Sequence, residues 1–184
     1  MRLVVGLGNP GDQYRESFHN VGFSVLDLLS TRLSLGAWSR RFKGLVVRGG
    51  YQRSPFVLLK PQTYMNASGQ SVVSCGQFYK IQLEDTLVIS DDIDLPLGTA
   101  RYRLSGGHGG HNGLRSIIDL CGANSFHRIR IGVGRPYSRE SVANYLLRRP
   151  PAESQKVIES TVEESVNHVL DFIVGHPVCI PSKK

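Results

Sequence analysis

Residues 2–11 read RLVVGLGNPG: a short apolar run, then Gly6, Gly8 and Gly11 with Pro10 among them. A run of that length closed by such breakers is a buried strand over 2–7 that ends in a sharp turn. The segments beyond this turn set the fold class. From Asn20 to about Leu33, Val21, Val25, Leu28 and Leu29 fall on one helical face. Residues 43–51 and 54–60 read as two strands about a short polar turn, and a helix spans about 67–79. Residues 86–90 (TLVIS) form a strand entering the acidic segment 91–94. Residues 99–104 alternate, with Ala100, Tyr102 and Leu104 facing one way and Arg101 and Arg103 the other. A helix runs from about Leu114 to Cys121. In the strand over 127–133, Ile129, Ile131 and Val133 point inward and Arg128 and Arg130 point away. A short helix near 139–147 precedes the last helix, 153–173, whose core stripe is Ile158, Val162, Val166, Val169 and Ile173. Strands alternating with helices predict an α/β fold: one domain over residues 1–184, with a twisted mixed β-sheet packed between helices.

The bulk numbers narrow the function class. With 184 residues, 40% hydrophobic and 20% charged, the chain has the make-up of an ordinary globular domain that can bury a core. No apolar run reaches the roughly 18–20 residues of a membrane helix. The apolar N-terminal run is too short for a secretory signal, so the expected location is the cytoplasm. Cys75, Cys121 and Cys179 are odd in number, far apart and free of any CxxC pair, which argues against disulfides and zinc. The six histidines form no HExxH pattern; His108 and His111 sit three apart without an evident third ligand, so no metal is expected. The formal net charge of +7 suits a polyanionic partner, of which nucleic acid is the commonest, or serves solubility alone.

Gly6, Gly8 and Gly11 spell GxGxxG after a strand, which invites a dinucleotide-binding reading. Three features oppose it. Pro10 removes an N–H from the turn that would cradle a pyrophosphate. The helix begins near Asn20 rather than at Gly11. The acid at suitable spacing, Asp27, lies within that helix. What remains is a sharp turn displaying Asn9 at a strand's C-terminal end, where active sites of α/β sheets collect.

Four further segments place unusual polar residues beside predicted strand ends or turns: Ser17-Phe18-His19-Asn20, Tyr64-Met65-Asn66, Asp91-Asp92-Ile93-Asp94, and GGHGGHNG at 106–113. Glycines let backbone approach a ligand closely. The plainer alternative for the last is a loop closed by Asn112 as cap of the helix near Leu114.

GLGNPG at 6–11, HNVG at 19–22, TYMNASG at 63–69, DDIDLPLG at 91–98, GGHGGHNGLRS at 106–116, RIRIGVGRP at 128–136 and the YLL…PP stretch at 145–151 together resemble the motifs of bacterial-type peptidyl-tRNA hydrolases, in that family's order and spacing. The resemblance implies an enzyme that hydrolyses the ester between peptide and tRNA without cofactor or metal. It implies His19 as the base that activates water and Asp91 as its orienting partner. Ser90, beside Asp91, then has a structural role. Asn9, Asn66 and Asn112 match the positions that hold substrate, and an amide both donates and accepts without titrating. Tyr14 and Met65 would line the peptide groove, and His111 would assist binding at the glycine loop.

The resemblance also implies tRNA phosphate contacts at Arg103 and Arg130, below a mobile segment around 135–149 that includes Arg135, Arg139, Arg148 and Arg149. Arginine clamps phosphate through two N–H groups, and such contacts carry little sequence information, as an enzyme acting on many tRNAs requires. The chain departs from the family in three places. Phe18 stands where an arginine is usual, Arg103 replaces a common lysine, and 139–141 carry an acid and a serine in place of a more basic stretch. The partner expected is peptidyl-tRNA, with no membrane, no obligate protein partner and a monomeric state. A relative in plant plastids acts in intron splicing, so the alternative is a non-catalytic RNA-processing factor of the same fold.

Overall fold

The computed structural model of the chain describes residues 1–136 and 140–180. Its strands are β1 (Arg2–Gly6), β2 (Ser39–Arg41), β3 (Gly44–Tyr51), β4 (Ser54–Pro61), β5 (Thr86–Asp92), β6 (Ala100–Arg103) and β7 (His127–Gly132). They form one seven-stranded sheet in the order β2-β3-β4-β1-β5-β7-β6. β1 runs parallel to β4 and β5, and β5 parallel to β7. The pairs β2–β3, β3–β4 and β6–β7 are antiparallel. The sheet is therefore mixed, as the sequence predicts.

The helices are α1 (Val21–Arg32), α2 (Ser68–Tyr79), α3 (Asn112–Cys121), α4 (Val142–Leu147) and α5 (Ala152–Val174). Strand alternation sends Val4, Leu58, Leu87, Ile89, Ile129 and Ile131 to one face of the sheet, where α1 and α5 pack. Leu3, Val5, Val57, Leu59 and Val88 go to the other, beneath α2 and α3. The central strands are apolar on both faces because both faces are covered. None of the helices is long and apolar enough to span a membrane.

Several expectations need correcting. β2 was invisible in the sequence: all three of its residues are exposed, and Phe42 and Lys43 turn the chain with φ of 54° and 53° where Asn-Gly would signal a hairpin. Helix α3 begins at Asn112, and its N-cap is His111, not Asn112. Helix α4 begins at Val142, capped by Ser141 Oγ, while Arg139 lies outside the described residues. β6 ends at Arg103, so Leu104, read as part of its alternation, lies beyond the strand and is 65% exposed. Arg128, expected to point away from the core, is 2% exposed, because it turns beneath the glycine loop and donates to the carbonyls of Gly106 and Gly107.

Candidate active site

The C-terminal ends of the parallel strands converge on a cleft of about 670 Å³. Asn9 follows β1, Met65 and Asn66 follow β4, and Asp91 sits near the end of β5. His19 arrives from the other direction, on a single 3-10 turn (Phe18–Asn20) that leads into α1. That detour of chain between Gly11 and Val21 means that α1 does not open directly after Gly11, as the dinucleotide fingerprint requires, although its first turn packs against Gly6 and Gly8.

At the cleft, His19 Nδ1 donates to Asp91 Oδ1 at 2.7 Å. His111 Nε2 reaches the same oxygen at 3.1 Å. The tautomer of His111 follows from its other nitrogen: Nδ1 accepts from the N–H groups of Gly113 and Leu114 at 3.1 and 3.3 Å, so the proton is on Nε2. One imidazole thus caps α3 and holds the carboxylate. The Asp91 side chain is 2% exposed. Burial alone would raise its carboxyl, but the charge and hydrogen bonds of His19 and His111 hold it well below the usual carboxylate range. Burial pulls the His19 imidazole down, and the Asp91 charge and hydrogen bond outweigh that, leaving its pKa above the ordinary 6.5. Among the described residues His19 Nε2 has no protein partner, and the ring lines the cleft.

His19, Asp91 and His111 each offer a ligand atom within 4.8 Å of the others, a spacing that could also hold a metal ion. His19 Nδ1 and His111 Nε2, however, already aim their protons at a single oxygen, so a cation bound to these nitrogens would have to displace both hydrogen bonds.

Asn9 is fixed on three sides. Its backbone N–H donates to Asn20 Oδ1 at 2.8 Å, its carbonyl accepts from Asn20 Nδ2 at 2.9 Å, and its own Oδ1 accepts from the Met65 N–H at 2.8 Å. These bonds commit the amide oxygen and orient Nδ2 as the remaining donor. Asn66 and Asn112 are exposed and line the same cleft, with Met65 between them and the core. Tyr14 is not among the lining residues; it ends a 3-10 turn (Asp12–Tyr14) before the His19 segment.

Arg103 and Arg130 both line the cleft. Arg130 is already paired, its Nε 2.5 Å from Asp92 Oδ2, whereas Arg103 is exposed and has no ion pair among the described residues. Arg101 lines a separate cavity beside α5. Arg135 pairs with Asp94, Arg148 with Glu140 and Arg149 with Glu16. The basic segment is therefore largely neutralised pairwise. Ser90 is 1% exposed, with its Oγ unpaired among the described residues, and it does not line the cleft.

Sequence reasoning missed three contributors. Asn20 stands within a motif that gave it no role, yet it clamps Asn9. Val142, Ala143, Leu146 and Leu147 of α4 form an apolar wall of the cleft. Phe18, 2% exposed, stacks on Tyr145 of α4 with ring centroids 4.6 Å apart, and the Tyr145 hydroxyl donates to the Val133 carbonyl at 2.6 Å. The signal for Phe18 was present: a large aromatic beside His19, where the resemblance leads one to expect an arginine. Its partner lies far along the chain, and nothing local points there.

The family model described as peptidyl-tRNA hydrolase matches residues 3–178. A peptidyl-tRNA hydrolase of Rhodospirillum centenum is 45% identical over 177 residues, covering 96% of this chain and 78% of the relative. One from Neisseria gonorrhoeae is 42% identical over 176 residues, covering 95% and 92%. The crystal structure of peptidyl-tRNA hydrolase from Acinetobacter baumannii is similar with a TM-score of 0.89 at 39% identity, covering 95% of this chain and 89% of that one. Motif order, fold and relatives agree along nearly the whole length, and the chain belongs to the peptidyl-tRNA hydrolase family.

Proposed function

We propose that this protein hydrolyses the ester joining a peptide's C-terminal carboxyl to the terminal ribose of tRNA, by direct attack of water. The observation that carries the reading is the buried Asp91 carboxylate bonded to His19 Nδ1, with His19 Nε2 left free in the cleft. Asp91 keeps the proton on Nδ1, so Nε2 takes one from water and Asp91 steadies the imidazolium that forms. A positioned base of this kind contributes about 10²–10⁴-fold. His111 holds Asp91 through the same oxygen. Asn9 Nδ2, Asn66 and Asn112 hold the peptide backbone, the water or the developing oxyanion. Met65 and the α4 wall receive peptide side chains, and Tyr14 is outside the cleft lining. Arg103, with Arg130 exchanging its bond to Asp92, contacts tRNA phosphates. No step needs a cofactor, and the protein acts as a monomer in the cytoplasm.

The test is release of a blocked amino acid from N-blocked aminoacyl-tRNA in the presence of chelator, by wild type and His19→Ala. Release by the wild type and a loss of at least about 100-fold in the variant support the reading. Equal release by both overturns the role of His19. No release by a folded wild type favours the non-catalytic RNA-processing alternative.

A further inference from the structure

Arg103 and Arg130 lie at the β6–β7 edge of the sheet. The opposite edge, at β2, carries a second cationic surface that the proposed reaction does not use. The β2–β3 register pairs Arg41 with Gly44, so Arg41, Val46 and Arg48 share the side on which α2 packs. There the Arg41 guanidinium lies 4.6 Å from the ring centre of Phe78 and 5.0 Å from that of Phe42. Arg48 lies 5.7 Å from Tyr79. The three rings touch one another, with centroids 5.1, 5.9 and 4.9 Å apart. Lys43 extends the strip toward the start of α2 through a 2.7 Å bond to Gln70.

Three features mark this strip as a binding surface. First, Arg41, Lys43 and Arg48 are exposed and have no carboxylate partner among the described residues, whereas the cleft-side arginines 130, 135, 148 and 149 each have one. Second, the Arg41 guanidinium lies over the Phe42 and Phe78 rings and that of Arg48 over Tyr79, cation–π contacts that hold both side chains at the strip and leave their charge available to phosphate. Third, Phe78 is 54% exposed at the end of α2, and Phe42 and Lys43 occupy a left-handed turn that suits neither side chain.

We infer that this basic–aromatic strip is a second RNA-contact surface, with Arg41, Arg48 and Lys43 on backbone phosphates and Phe78 under an unpaired base. Phosphate clamps beside an exposed ring fit a polynucleotide, since every base offers a face to stack on. The RNA is the tRNA of the proposed substrate, and to that extent the inference rests on the proposed function.

Binding of deacylated tRNA, read by fluorescence anisotropy across a salt series, tests the surface without catalysis. Arg41→Glu with Arg48→Glu, and separately Phe78→Ala, are the variants; Arg41→Gln with Arg48→Gln serves if charge reversal lowers the melting temperature. The expected result is a Kd raised about tenfold and a salt slope shallower by about 0.7–0.9 for each phosphate no longer neutralised. Cleavage of the same blocked aminoacyl group on a short terminal oligonucleotide is expected unchanged. An unaltered Kd and slope in folded variants overturns the inference. So does intact tRNA binding with lost binding to phosphatidylglycerol vesicles, which would make the strip a lipid surface. Weakened tRNA binding in a protein that cleaves no peptidyl-tRNA would leave the strip standing and sink the proposed reaction instead.

Discussion

Two imidazoles share one oxygen of Asp91, and this arrangement makes pH behaviour readable at single residues. The His19 pKa lies above 6.5 because the carboxylate outweighs burial. As the proposed base, His19 works only when neutral, so kcat/KM is expected to rise with pH through that elevated value. In Asp91→Asn both raising influences are gone and burial remains, so the acid limb moves below 6.5 while the plateau falls about 10²–10⁴-fold. A pH–rate profile of the two proteins checks both statements; a limb that stays in place would mean that another group titrates. The same pairing is linked to folding. The His19 contribution is fully present below pH 6.5 and fades as pH rises through the folded-state pKa, whereas that of Asp91 fades only as pH falls below the ordinary carboxylate range. Asn20 acts through Asn9. Removing its amide strands a buried N–H and a buried carbonyl, so Asn20→Ala is expected to lose about 2–4 kcal/mol by urea denaturation and to raise KM. An unchanged KM would confine Asn20 to stability. Both asparagines stood in the motifs, but sequence spacing holds no information on which amide faces substrate and which faces the other.

At the scale of elements, α4 is a six-residue helix, too short to hold itself in water. The element it packs against most is the turn that carries His19, and the Phe18–Tyr145 stack is the centre of that contact. One aromatic pair therefore ties the apolar wall of the cleft to the segment bearing His19. Phe18→Ala is expected to cost about 3 kcal/mol, read as lower urea resistance and as faster amide exchange in α4. KM is expected to rise more than kcat falls, because the wall moves while the Asp91 bond holds His19. A loss confined to kcat would place the role of Phe18 on the base instead. Arg128 does a comparable job for the glycine loop. Buried and pulled down to about 10 by that burial and by Arg130, it holds the carbonyls of Gly106 and Gly107. Arg128→Ala is expected to lower both stability and activity, and Arg103→Ala only tRNA affinity. Thermal melting alongside salt-dependent binding separates them, and a destabilised Arg103→Ala would contradict the assignment. Alternation along β7 could not reveal this, since an arginine at an outward position reads as solvated until the loop above it is known.

For the whole molecule, one tight constraint lies where α1 crosses the sheet. A Cβ on Gly22 would stand 2.5 Å from the Leu7 nitrogen and 2.6 Å from the Ile89 carbonyl oxygen, both backbone atoms that cannot yield cheaply. Gly22→Ala is therefore expected to cost about 3 kcal/mol or more, a fall of roughly 6–12 °C in Tm for a domain of this size. A Tm within a degree of wild type would mean that α1 can slide away from β1. That helix–sheet contact is what sets His19 over the end of β5. Apart from β2, the strand and helix pattern, the two buried faces and the α/β class were legible in the sequence, because hydrophobic periodicity is a local property and both sheet faces demanded apolar residues. The motifs named the family and most of the residues about the cleft for a similar reason: each is a short contiguous stretch of chain. Tertiary structure alone decided which polar groups meet. The shared oxygen of Asp91, the cap made by His111, the pairing of Arg130 with Asp92 and the strip at β2 all join residues distant in the chain. Their energies depend on separations of a few ångströms, which the folded packing sets and the order of residues does not express.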